Sequence, residues 1–345
     1  MRILIVRIAA YGDILITTPL IRYLKSQGNE IYYLGSEQAK EILENNPNID
    51  KFIYHKRNSI ANDKLDEYFN KIQKDNECEK VINLCESIEV RLALSPDYPQ
   101  WNWTKKERRE YCNKNYYEWT FEIARSQIGG EINLSMDEWK KFPISENKFY
   151  RPAMFFTEEE EDFILNIRQQ YLGNKIIMWG LSGSGRQKTY PYVPYIVGDI
   201  MREMKNVIII LVGGETCKIL EAGFPNHKRI LKKSGEFNIR QSILMAKYAD
   251  LVISPDTGFL HGAGCWDTPK IGLLTHSTKE NITKHFTEDY SIESSAICAP
   301  CFRLISDASI QCILEPESSA CLCMSKDCMR PEDIYERVKD VIGRN

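Results

Sequence analysis

Asp13 directly follows Gly12, where the apolar run of residues 2–6 gives way to an amphipathic segment that ends near Gly28. The pattern reads as strand, tight turn and helix, and it puts a carboxylate at the edge where open α/β sheets bind ligands. A carboxylate there can take a proton from an incoming hydroxyl. It can equally cap the helix, because Asp is a preferred N-cap. A second group follows the apolar run of residues 175–180, where a loop carries Ser182, Gly183, Ser184, Gly185 and then Lys188. Small residues let backbone N–H groups approach phosphate oxygens, and Lys188 adds a positive charge. The spacing of a nucleotide-binding P-loop is absent, and a plain loop is the other reading.

Gly213, Gly214 and Glu215 follow the long apolar run of residues 207–212. Glu215 suits a helix start, where the dipole stabilises a carboxylate, or a hydrogen bond to ribose hydroxyls. The sharpest signal lies in residues 254–264. Directly after a strand, Asp256, Thr257 and Gly258 would present free backbone amides at a helix N-terminus, which binds a diphosphate through N–H groups and macrodipole together. Read structurally, Asp256 is an N-cap and His261 a packed helix residue. Residues 272–278 end another strand with polar side chains that would wall the same cleft.

Six of the eleven cysteines fall between residues 298 and 328. Cys298 and Cys301 have the spacing of a metal knuckle, and Cys312 and Cys328 complete the favoured quartet for a structural zinc or iron, with Cys321 or Cys323 as substitutes. Buried or loop thiols are the alternative. Lys105, Lys106, Arg108 and Arg109 form a basic cluster preceded by Trp101 and Trp103. It reads as a solvated loop or helix start, or as a platform for an anionic or sugar-bearing acceptor.

These groups require strands and helices to position them. At 345 residues the chain is long enough for two domains, each with its own core. Its 43% apolar and 27% charged residues match an ordinary globular protein. A net charge of −3 gives no general attraction to nucleic acid or anionic lipid, so no nucleic-acid partner is expected. No run is long enough to span a bilayer, and Arg7 interrupts the short N-terminal apolar run, so a cytoplasmic protein with reduced thiols is expected. Strands are predicted at residues 31–35, 52–54, 81–84, 175–180, 207–212, 251–254 and 270–274, with helices at 38–45, 115–126, 158–171 and 334–342. The polar passage 136–151 is the best boundary. The expected architecture is α/β: a Rossmann-like domain over residues 1–150, a second over 151–330, and a closing helix over 331–345, the two doubly wound halves facing one another across a cleft.

With these motifs in order, the chain resembles glycosyltransferase family 9, the group of ADP-heptose:lipopolysaccharide heptosyltransferases. Residues 2–20, the Asn46-Pro47-Asn48-Ile49-Asp50 turn, residues 183–191, Gly213-Gly214-Glu215, residues 256–263 and Cys328-Met329-Arg330-Pro331-Glu332 all fall in family order. The resemblance implies a GT-B fold and an inverting transfer from a nucleotide diphosphate sugar, ADP-heptose above all, without a catalytic metal. By position Asp13 matches the family's general base. Lys188, Ser184 and the amides around Thr257 and Gly258 would stabilise the departing diphosphate, Glu215 would hold the ribose, and Asp256, Gly214 and His261 would complete the donor pocket. The implied acceptor is a glycan or lipid-linked surface-glycan precursor, with peripheral contact at the inner face of the membrane. Some protein-modifying relatives carry an iron-binding cysteine cluster, so a protein-directed heptosyl- or hexosyltransferase is an alternative. A non-catalytic nucleotide-sugar-binding module and a sugar-nucleotide epimerase are others.

Overall fold

The computed structural model describes residues 1–85, 99–129, 146–303 and 321–343. The chain forms two compact units, Met1–Arg91 with Lys114–Phe156, and Leu92–Asn113 with Thr157–Asn345. Each is built around an all-parallel sheet.

In the first unit, β1 (Arg2–Val6), β2 (Glu30–Gly35), β3 (Lys51–Tyr54) and β4 (Lys80–Asn83) lie in the order β3-β2-β1-β4. Ile3, Leu4, Ile5 and Val6 are fully buried, as a central parallel strand covered on both faces must be. The register sets Ile3 opposite Ile31 of β2 and Lys80 of β4. Helix α1 (Tyr11–Ser26) follows β1 and holds Pro19 in its interior. Pro19 has no N–H for the Leu15 carbonyl four residues back. The Thr18 hydroxyl donates to that carbonyl instead, at 2.7 Å. Helices α2 (Glu37–Leu43) and α3 (Leu65–Asp75) follow in the chain. The chain next forms α4 (Lys105–Cys112), which groups with the second unit, and returns to the first as α5 (Tyr116–Ile128), packed on β4 and α1. Asn115 starts α5 by accepting the N–H groups of Tyr117 and Glu118.

The second unit opens with α6 (Glu158–Gln169), entered through a Thr157–Glu160 capping box. Its strands β5 (Lys175–Gly180), β6 (Val207–Val212), β7 (Ile230–Lys232), β8 (Leu251–Pro255), β9 (Lys270–Leu274) and β10 (Ile292–Glu293) lie in the order β10-β9-β8-β5-β6-β7. All six residues of β6 are buried. The edge strands β7 and β10 have no sequence signal, because three and two residues are too few to show a period. Helices α7 (Val193–Glu203), α8 (Ile239–Lys247), α9 (Gly258–Ala263), α10 (Lys279–Ile282) and α11 (Pro331–Ile342) accompany these strands, with a single further helical turn at Lys218–Glu221. Ile334, Val338 and Val341 of α11 share one core with Ile177 and Leu251. Where α9 meets α8 the Ile243 side chain lies against the Gly262 backbone, so closely that a Cβ on Gly262 would lie 2.3 Å from it.

Each sheet has one switch point, where successive strands begin to add on the other side: between β1 and β4, and between β5 and β8. Ligands of open doubly wound sheets bind at the carboxyl ends of the strands flanking such points.

Candidate active site

At the first switch point stands Asp13. Helix α1 starts at Tyr11 with Ala10 in the capping position, so Asp13 is the third residue inside the helix and not its cap. Ala10 has no side-chain acceptor, and the Asp13 carboxylate reaches back to accept the Ala10 N–H on Oδ2 at 3.1 Å. The same Oδ2 pairs with Nη2 of Arg7 at 2.8 Å, with the two side chains only 5% and 6% exposed. Arg7 in turn donates from Nη1 to the Leu84 carbonyl at 2.8 Å and to the Cys85 carbonyl at 3.3 Å. The guanidinium therefore ties the end of β1 to the segment after β4, directly over the switch point. A buried carboxylate is tolerated only when paired and hydrogen-bonded in this way. Arg7 is visible in sequence as a charge at the end of a buried strand.

At the second switch point the carboxyl ends of β5 and β8 bring Lys188 and Asp256 together, Nζ to Oδ2 at 3.9 Å. Nε2 of His261 lies 3.3 Å from Asp256 Oδ1, and Nε2 of His276 lies 3.3 Å from Oδ2. The Ser277 hydroxyl donates to Oδ2 at 3.4 Å. All five side chains are buried. Asp256 is not a cap. Thr257 caps α9 by accepting the Leu260 N–H at 3.3 Å, and its hydroxyl contacts that of Ser254 at 3.0 Å. Burial alone would raise the Asp256 carboxyl, but Lys188 and then His261 outweigh it and hold the group well below the usual carboxylate range. Burial, reinforced by the Lys188 charge, pushes His276 down to about 4, so this imidazole is neutral at pH 7.

Gly183 is the residue the loop requires at this point, because a Cβ there would lie 2.8 Å from Thr257 and 2.9 Å from Lys188. Nδ1 of His276 and both side-chain amide atoms of Gln187 are buried without a hydrogen-bond partner among the described residues. Lys188, Asp256 and His261 thus meet in one cluster, with Thr257 and Gly258 next along the chain. Ser184 and Gly214 are exposed. Glu215 is 74% exposed and paired with Lys218 at 2.7 Å, outside the Asp256 contacts. His276 and Ser277 enter through the polar end of β9. Their pairing with Asp256 depends on the β8–β9 register, which no local pattern reveals.

Among the cysteines, the sulfurs of Cys298 and Cys323 are 3.4 Å apart, and the free thiols of Cys321 and Cys323 share a hydrogen bond. The Cys323 thiol holds Cys298 down at about 7, whereas burial pushes Cys301 up to about 11. Cys328 packs in the same cluster. Cys312 lies outside the described residues, and among the described residues no three His, Cys, Asp or Glu side chains are placed to hold a metal ion. Likewise no described helix is long and apolar enough to cross a membrane.

Residues 101–309 match the family model of glycosyltransferase family 9 (heptosyltransferase). The chain is 23% identical over 312 residues to lipopolysaccharide heptosyltransferase 1 of Campylobacter coli, an alignment that covers 82% of this chain and 88% of that protein. The crystal structure of a family 9 glycosyl transferase from Veillonella parvula superposes with a TM-score of 0.70 at 14% identity, covering 100% of this chain and 98% of that one. The ADP-heptose lipopolysaccharide heptosyltransferase II of E. coli gives a TM-score of 0.59 at 12% identity, covering 100% and 99%. The two Rossmann-like units are therefore those of a GT-B fold.

Proposed function

The chain belongs to glycosyltransferase family 9, and from that premise we propose that it moves a heptose from ADP-heptose, with inversion, to a hydroxyl of a lipopolysaccharide-core-like acceptor. The observation that carries this reading is the buried cluster of Lys188, Asp256, His261 and His276 at the β5–β8 switch point. Relatives named as heptosyltransferases, one of them for ADP-heptose, support the choice of sugar and nucleotide.

In this reading the second unit takes the donor, and the first supplies the base for the acceptor hydroxyl. The acceptor oxygen forms a bond to the anomeric carbon as the bond to the diphosphate breaks. Asp13 takes the hydroxyl proton in that step. The Ala10 N–H and Arg7 Nη2 both meet its carboxylate at Oδ2, which leaves Oδ1 for the hydroxyl. Lys188 offsets the charge that builds on the leaving diphosphate. A carboxylate beside a diphosphate would repel it, so the role of Asp256 is to orient Lys188 and the two imidazoles, not to face the donor. Unpaired buried groups such as the Gln187 amide and His276 Nδ1 are costly and suit a polar ligand. Glu215 and Gly214 would reach the ribose, and Ser184, Thr257 and Gly258 the phosphates. No step uses a metal. The work is placed on the cytoplasmic side, where the sugar nucleotide is available.

Asp13→Asn tests the base. The variant should bind ADP-heptose with unchanged affinity, seen as an undiminished thermal shift, yet transfer roughly 10²- to 10⁴-fold more slowly. Near-normal turnover would remove Asp13 from the chemistry.

A further inference from the structure

The basic helix α4 has no part in the reaction described so far, yet the fold places it deliberately. Thr104 and Glu107 start it with a capping box. Asn281 donates to the Cys112 carbonyl at 3.0 Å, the Thr278 hydroxyl donates to Asn113 Oδ1 at 2.6 Å, and Lys105 Nζ donates to the Ile297 carbonyl at 2.9 Å. These bonds dock α4 against the end of β9 and the segment after β10, and there it closes a cavity of about 350 Å³. Every residue that lines the cavity belongs to the second unit.

We propose that this cavity, lined by Lys105, Arg109, Thr275, Ser277 and Ser295, is a subsite for an anionic group, a phosphate or a carboxylate, carried by the acceptor. The lining holds two cations against one carboxylate, Glu293, whose Oε1 already accepts the Lys279 N–H at 2.6 Å. Lys106 on the same helix has Glu110 as an ion-pair partner, whereas Arg109 has none among the described residues. Arg presents a planar fork of donors that matches the oxygens of phosphate and carboxylate. The cavity also adjoins the donor cluster. Ser277 donates to Asp256 at 3.4 Å, and the Thr275 hydroxyl donates to the Gln187 carbonyl, one residue before Lys188, at 2.7 Å. A group held by Arg109 is thus brought beside the donor without displacing the diphosphate, which the proposed function assigns to Lys188. The inference rests on that assignment.

The test uses the full chain saturated with ADP and three probes of one size class: glucose 6-phosphate, glucuronate and glucose, followed by calorimetry or ligand-observed NMR. One or both anionic probes should bind and glucose should not, and the stronger of the two identifies the source of the anion. Arg109→Ala with Lys105→Ala should weaken that probe at least tenfold, Arg109→Lys much less, and the affinity for ADP should stay within twofold. Both side chains are exposed, and an unchanged melting temperature will show that the variant is folded. Equal binding of glucose, or anion binding unmoved by the double substitution, overturns the subsite. A parallel loss of ADP affinity overturns it too, by making the cavity part of the donor site. Lys188→Ala separates the two readings: it should weaken ADP and leave the probe unaffected. Unchanged ADP binding in that variant refutes the donor assignment whatever Arg109 does.

Discussion

Replacing Arg7 with methionine strips a buried carboxylate of its cation while keeping the length and apolar stem of the side chain. The pair is 2.8 Å apart with both members nearly inaccessible, so water cannot replace the lost partner. Removing one member of such a pair costs about 3–5 kcal/mol, because the remaining charge is left uncompensated. The Leu84 carbonyl, which accepts from Nη1 at 2.8 Å, loses its donor as well. For units of this size that loss corresponds to roughly 6–20 °C in melting temperature. Equilibrium denaturation in urea, followed by tryptophan fluorescence and circular dichroism, reads the effect as a lower midpoint at constant slope for the first unit's transition. The decisive comparison is Arg7→Met combined with Asp13→Leu, which removes both charges and should recover most of the loss. A cost below about 1 kcal/mol for Arg7→Met would mean that the pair behaves like an exposed one. A double variant no better than the single would mean that the loss comes from packing. Either result refutes the argument from burial.

The folded protein keeps His276 neutral down to about pH 4, whereas the unfolded chain protonates it near 6.5. The unfolded state therefore binds the extra proton between those values, and stability should fall as pH drops from 6.5 to 4, by about 3 kcal/mol at most from this residue. His276→Gln should flatten that slope, and a slope left intact would assign it elsewhere. Asp256, whose carboxyl is held low, contributes stability above the unfolded carboxylate value, and that contribution is lost only in stronger acid. Gly262→Ala should cost roughly 1–3 kcal/mol through the 2.3 Å clash with Ile243, and Ile243→Ala in the same chain should relieve the clash; a neutral Gly262→Ala would show that the Ile243 side chain moves aside without strain. Elemental analysis of the purified protein decides between the two readings of the cysteines: one zinc or iron per chain supports the quartet with Cys312, which lies outside the described residues, and substoichiometric metal leaves buried thiols.

Much of the scaffold was legible because its strands are buried on both faces. The apolar runs at residues 175–180, 207–212 and 270–274 have the same bounds as β5, β6 and β9. The early strands shifted by a single residue, and α1 was readable despite Pro19 because its apolar positions run through it. The site was legible as a set of residue types but not as a set of contacts. Local pattern made Asp13 and Asp256 candidates for caps, and the structure gives those positions to Ala10 and Thr257. What separates the readings is partner choice: Arg7, six residues back across the β1–α1 turn, for the first carboxylate, and Lys188 and His276, which follow other strands, for the second. The second set of pairings comes from sheet order, and sheet order has no local signature. Glu215 shows the converse, a residue in the expected motif whose exposed carboxylate takes a neighbour three positions on.

Both units are discontinuous in the chain, and this has a consequence for how the molecule is made. The first unit needs α5, which packs on β4 and α1, so it cannot finish folding when β4 leaves the ribosome. Helix α4 emerges in between, and its anchors Thr278 and Asn281 lie 165 and 169 residues downstream of the atoms they bind. At usual elongation rates the basic helix waits on the order of ten to forty seconds for its dock. During synthesis the nascent chain therefore holds an undocked cationic segment between two halves of an unfinished domain. The last residues of the first unit, up to Phe156, are made before any strand of the second unit, which makes the order of translation part of the folding problem.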